Sequence, residues 1–255
     1  MVIATSITES YLERSQPLFK SVVENFSGTR ICFTIGFETT IEGWECIKTE
    51  LPECTWQPDN RKDFYTLQHG EFVKYIPDTE PDEMILFIDS DMIMQREWDI
   101  TMNSTRAISV TASSWPLNTL MQVVENLGIK GGKKKKLCKL YDIHKDYKEF
   151  CTAFIIASFD QWENIYRAIR GMYVFLDNFK HHAAWQLLIN LVVLSKFQVV
   201  KILPEHICNA TWYTGTRAKG SPLTVTMMGT KKLHDGGTED VVSDEVIYFN
   251  HTKFN

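Results

Sequence analysis

The sequence predicts a single α/β domain over residues 1–255, with a mixed, mostly parallel central sheet flanked by helices. Three observations carry that expectation. Strand-like and helix-like stretches alternate along the chain, the pattern of a layered α/β architecture. The opening residues read strand, helix, strand, which is the βαβ unit that starts a parallel sheet. Met84-Ile85-Leu86-Phe87-Ile88 is a continuous apolar run, as suits a strand buried on both faces in the middle of a sheet. With 44% hydrophobic and 12% aromatic residues in 255, the chain can bury a sizeable core, which excludes a disordered chain.

The elements follow in order. Val2–Ser6 is a first strand. Ser10-Tyr11-Leu12-Glu13 has capping-box spacing and is expected to open a helix carrying Leu12, Phe19, Val22, Val23 and Phe26, with Pro17 bending or delaying it. Asn25–Thr29, with Gly28, closes that helix. Ile31–Ile35 is a second strand, ended by Gly36. Thr39–Asn60, with Pro52 and Pro58, is expected to be irregular, Asp63–Lys74 helical, and Pro77–Asp82 a turn-rich link into the central strand. Ala107–Ala112 reads as a strand, Asn118–Leu127 as a short helix stopped by Gly128, and Gly131–Lys136 as a mobile basic loop. Cys151–Ser158 is a strand and Asp160–Tyr173 a helix with Trp162, Ile165, Tyr166 and Ile169 on one face. Ala183–Ser195 is a strongly apolar helix, Val199–Leu203 a late strand, Tyr213–Gly237 a weakly periodic stretch and Val246–Asn250 a last strand.

The net charge of −5 gives no reason to expect a nucleic acid or an anionic membrane surface as a partner. The six cysteines are scattered without a Cys-x-x-Cys, which argues against a zinc site or a disulfide framework and fits a reducing compartment. No signal-peptide pattern precedes the first strand. The longest strongly apolar stretch, Ala183–Leu194, is too short to span a bilayer, so a cytoplasmic protein or a trimmed soluble domain is expected.

The chemistry gathers behind the central apolar run, where Asp89-Ser90-Asp91 follows. Asp is a poor strand residue and is costly to bury unpaired. Two Asp at i and i+2 on an extended chain point the same way. Ligands in open α/β sheets bind at the carboxyl ends of strands. Two convergent carboxylates there can hold a hard divalent cation, Mn²⁺ or Mg²⁺. The plain alternative is a strand ending in a polar turn.

This Asp-x-Asp behind an apolar strand resembles the signature of nucleotide-sugar-dependent glycosyltransferases of the GT-A fold, and the chain is most similar to their glycogenin-like branch. The resemblance implies transfer of a sugar from a nucleoside-diphosphate donor, a UDP-sugar above all, to a glycan or other hydroxyl acceptor. It implies a metal held by Asp89 and Asp91, with Ser90 between them at the donor. Val2–Tyr11 resembles the family segment that holds uracil and ribose, which assigns Ala4, Thr5, Ser6 and Tyr11 to the nucleoside. An ordinary capped turn with a half-buried Tyr is the competing reading of those residues.

Arg61 and Lys62, ahead of the Asp-x-Asp strand, correspond to a basic position that contacts the donor, or else they form a solvated helix start. Cys151–Ile156 resembles the strand that lines donor sugar and acceptor, with Thr152-Ala153 in place of the usual small pair. His181–Asn190 resembles an Asp-Gln-Asp-x-x-Asn region but keeps only Gln186 and Asn190. Both Asp are absent, which leaves the base open: His182 either is a helix N-terminal His with no catalytic part or, with an unperturbed pKa of about 6.5, serves as the base. Asp91 is its partner in catalysis. Near the carboxyl end, His251 is implied as a third metal ligand and Lys253 as a diphosphate contact, although Lys253 departs from the family spacing. A sugar nucleotidyltransferase, or a nucleotide-sugar-binding module without turnover, would share much of this pattern.

Overall fold

The computed structural model describes residues 1–50, 70–90, 92–94, 108–112, 150–171, 188–193, 200–203, 208–210 and 223–225, with isolated positions between 132 and 139. The strands are β1 (Val2–Thr8), β2 (Thr29–Ile35), β3 (Glu45–Thr49), β4 (Met84–Ile88), β5 (Met92–Met94), β6 (Ile108–Ala112), β7 (Phe150–Ser158), β8 (Val200–Leu203), β9 (Cys208–Ala210) and β10 (Leu223–Val225). Two helices, α1 (Gln16–Asn25) and α2 (Phe159–Arg170), and two 3₁₀ turns, Glu9–Tyr11 and Glu71–Tyr75, accompany them. Residues 188–193 are also helical.

Seven strands form the main sheet in the order β3-β2-β1-β4-β7-β6-β8, and β5, β10 and β9 form a smaller one. β3, β2, β1 and β4 run parallel, and β6 and β8 are parallel to each other. β7 is antiparallel to both its neighbours, β4 and β6. The mixed, mostly parallel α/β sheet expected from the sequence is therefore the one observed.

The apolar run of β4 lies at the centre as expected, and its alternation feeds both faces. Ile85 and Phe87 enter one core, with Phe72, Trp162, Ile165 and Ile169, while Leu86 and Ile88 enter the other, with Leu18, Phe19, Val22 and Trp44. On the first face Phe72 stacks on Phe87 at 5.0 Å and meets Trp162 edge-on at 5.1 Å. Trp162 also donates its indole N–H to the Ile85 carbonyl at 3.1 Å, satisfying a polar atom that burial would otherwise strand. α2 begins in a capping box, Ser158 with Gln161, worth about 1 kcal/mol.

Several local expectations need correction. α1 does not open at Ser10. Glu9–Tyr11 is a 3₁₀ turn and the α-helix starts at Gln16, with Pro17 in its first turn, where the missing N–H costs nothing. The segment Thr39–Asn60 contains a regular strand, β3. It lies at the sheet edge, so its order comes from pairing with β2 rather than from its own pattern. Glu71–Tyr75 is 3₁₀, entered through Gly70 at φ 92°, where the Trp162 carbonyl leaves a side chain no room. α2 ends at Arg170, short of the expected Tyr173. Met92–Met94 and Leu223–Val225 are strands of the small sheet, which the sequence reading did not anticipate. Gly132 and Lys135 are helical, not part of a loop. The expected elements Asn118–Leu127 and Val246–Asn250, and the amino-terminal part of the helix at Ala183–Ser195, lie outside the described residues.

Candidate functional site

β1, β2 and β3 run outward in one direction, and the chain then returns to place β4 on the other side of β1. The order reverses at the β1–β4 seam, and a crevice outside the carboxyl ends of two such strands is where open α/β sheets bind ligands. Asp89 follows the last residue of β4 at that point. It is half-buried, and its backbone N–H donates to the Ala153 carbonyl of β7 at 3.0 Å.

The chain then turns. The carbonyl of Asp89 accepts from the Met92 N–H at 3.3 Å, and Ser90 lies in a turn. The extended strand β4 ends at Ile88, one residue before Asp89. The turn is held at its far end by α1. Ser21 Oγ accepts from the Met94 N–H at 2.9 Å, and the Asn25 side-chain amide donates to the Met94 carbonyl at 3.1 Å. An otherwise unremarkable helix face thus fixes the exit of the Asp-Ser-Asp segment.

On the β1 side, Ala4 is fully buried and pairs with Ile31 and Phe87, so it contributes backbone and lack of bulk. Thr5 is also fully buried, and its hydroxyl donates to the Ile88 carbonyl at 2.8 Å. That bond gives Thr5 a structural task that the sequence did not reveal. Ser6 and Ser90 are each 1% exposed, and neither hydroxyl has a hydrogen-bond partner. A buried unsatisfied hydroxyl costs about 1–3 kcal/mol and calls for an explanation. Here both fall at the carboxyl ends of the two strands that form the seam. Tyr11 is half-buried against the second core, and the Arg14 guanidinium lies 4.8 Å from its ring centroid.

β7 adds a feature not expected from the sequence. Val110 pairs with Ile155, but the next residue, Thr111, pairs with Cys151. The register shift throws Thr152–Phe154 into a bulge on the β6 side, directly opposite the end of β4. Bulges concentrate beside functional sites because they re-aim side chains. Thr152, a polar residue in an apolar strand, was the visible signal.

Asn190, the Asn kept in the segment that resembles the family's Asp-Gln-Asp-x-x-Asn region, is fully buried. Its Oδ1 accepts from the Phe150 N–H at 2.8 Å and its Nδ2 donates to the Phe150 carbonyl at 3.0 Å. It clamps the start of β7 to the helical residues 188–193.

Arg61, Lys62, Asp91, His182, His251 and Lys253 lie outside the described residues. Among the described residues no three His, Cys, Asp or Glu side chains gather closely enough to hold a metal, and no helix is long and apolar enough to cross a membrane. Asp89 is the one expected metal ligand that is described. A carboxylate at the exit of a strand, at the seam, suits a hard cation with oxygen ligands.

No family model matches the chain, and no curated protein matches its sequence. Solved structures do match. One is the galactosyltransferase LgtC in complex with donor and acceptor sugar analogs, at 12% identity and a TM-score of 0.61, covering 88% of this chain and 86% of that one. An active-site mutant of LgtC matches at 12% identity and a TM-score of 0.59, over the same shares of both chains. These likenesses bear on the fold and give no support to a glycogenin-like branch in particular. In its sheet and in this likeness, the chain has the fold of the GT-A glycosyltransferases.

Proposed function

We propose that the chain is a metal-dependent glycosyltransferase that moves a sugar from a nucleoside-diphosphate sugar, a UDP-sugar first among them, to a hydroxyl acceptor. The observation that carries this reading is Asp89 at the exit of β4, on the β1–β4 seam where the strand order reverses. The fold is shared with a galactosyltransferase solved with donor and acceptor sugar analogs, which supports the same reaction class.

In this reading Asp89 and Asp91 hold Mn²⁺ or Mg²⁺, and His251 supplies a third ligand. A cation so held supplies neutralisation of the charge that grows on the departing diphosphate. The chain's own residues do the rest. Ala4 leaves room for the nucleoside beside the backbone, Tyr11 offers a ring to the base, and Ser6 and Ser90 offer hydroxyls at the strand ends. Arg61, Lys62 and Lys253 place positive charge near the diphosphate, and His182 accepts the acceptor's proton.

Calorimetry of UDP binding with Mn²⁺ and with EDTA tests the metal bridge, because paired carboxylates repel a diphosphate until a cation intervenes. Binding should tighten at least tenfold with Mn²⁺, and His251→Ala should weaken Mn²⁺-supported binding more than Mg²⁺-supported binding, since Mg²⁺ prefers oxygen alone. Equal affinity with EDTA overturns the bridge. His182→Ala should lower turnover by roughly 10²–10⁴-fold with donor binding intact.

A further inference from the structure

We propose that Cys32 and Cys46 form a redox modification site, a cross-strand thiol pair that a small-molecule disulfide converts into an intramolecular disulfide. The two residues are far apart in the sequence, but β2 and β3 bring them together as direct register partners. Neighbouring strands lie about 4.8 Å apart, inside the Cα separation of roughly 4.4–6.8 Å that a disulfide accepts. Both side chains are on the same face of the sheet. Cys32 belongs to the core cluster of Ile3, Ile7 and Leu18, and Cys46 packs against that cluster. Both thiols are free.

Their environments assign them different parts. Cys32 is fully buried, and burial first, then the neighbouring Cys46, pushes its thiol far above the ordinary range. Cys46 is half-buried on the edge strand, and burial raises its thiol too, opposed by a backbone hydrogen bond at Ile41. Reagent therefore enters at Cys46. The Cys46 thiolate attacks one sulfur of a small disulfide and expels a thiolate, leaving a mixed disulfide on Cys46. Cys32 gives up its proton to that departing thiolate or to solvent, and its sulfur attacks Cys46 Sγ and expels the second small thiolate. Two protein thiols and one small disulfide become one protein disulfide and two small thiols. Among the described residues β3 pairs on one side only, with β2, so it can make the small shift that brings the two Cβ atoms to bonding range.

The same register continues inward. Cys32 is the partner of Thr5 on β1, and Thr5 is bonded to the last residue of β4 before Asp89. The thiol pair thus sits on one row with the seam.

The test is to treat the folded full chain with oxidised glutathione, quench with acid, and read intact mass and non-reducing peptide maps. The wild type should lose two hydrogens, link the peptides carrying Cys32 and Cys46, and revert with a dithiol reductant. Cys32→Ala should stop at one glutathionyl group on Cys46, and Cys46→Ala should give neither link nor adduct at Cys32. Should Cys32→Ala fail to fold, prior alkylation of the folded wild type supplies a second arm. It should label Cys46 ahead of Cys32 and abolish the link. Both thiols remaining alkylatable after oxidant, or a link that appears only in denaturant, overturns the proposal.

Discussion

The hydroxyl of Thr5 donates to the carbonyl of Ile88 at 2.8 Å, across the seam between β1 and β4. β4 turns its other side to the antiparallel β7, and the β1–β4 backbone register ends at Ala4–Phe87, so this side-chain bond extends the seam towards Asp89. Thr5→Val keeps the shape and removes the donor. It should cost about 1–2 kcal/mol, because the Ile88 carbonyl is left buried and unpaired, while Thr5→Ser should recover most of the loss. Chemical denaturation, with an unchanged dependence on denaturant, checks both.

Asn190 gives a second stability prediction, at a position that resembles a site residue in sequence. It uses both ends of its amide on the backbone of Phe150. Asn190→Ala should cost about 2–4 kcal/mol, since two buried backbone groups lose their partner together. Nucleotide affinity of the folded fraction should change little. A variant of full stability and lost UDP binding would reverse this assignment and return Asn190 to the site.

The contrast between these residues shows what the sequence could and could not reveal. β4 was legible because five apolar residues in a row have few alternatives to a doubly buried strand, and α2 because Trp162, Ile165, Tyr166 and Ile169 repeat at helical spacing. β3 was not legible, since an edge strand takes its order from a distant partner. The start of α1 was misread because Ser10 and Glu13 have cap spacing, yet Pro17 fits best inside a first turn, which moves the helix to Gln16. At the site, the carboxylate of Asp89 at the end of β4 could be read from pattern. The tasks of Thr5 and Asn190 could not, because each bonds a backbone group remote in sequence, and nothing local encodes that pairing. The same holds for Cys32 and Cys46, which read as scattered thiols until register joins them.

Tyr11 tests the nucleoside end. Its ring already carries Arg14 on one face at 4.8 Å, so a base must use the other face or displace the guanidinium. Tyr11→Ala should weaken UDP binding by roughly 1–3 kcal/mol if the ring stacks on the base. Tyr11→Phe should bind almost as wild type, since the π-face is kept. Equal binding of UDP by the Ala variant and wild type would assign Tyr11 to packing against the second core alone.

The most direct measurement is product analysis with a panel of nucleoside-diphosphate sugars, run with Mn²⁺ and with EDTA, on wild type and Asp89→Asn. The account predicts release of a free nucleoside diphosphate from one donor, at least tenfold faster with Mn²⁺ than with EDTA. It predicts loss of that release in Asp89→Asn while the variant still unfolds in one cooperative transition. Pyrophosphate as the product, or release that is indifferent to both EDTA and the Asp89 substitution, would contradict it.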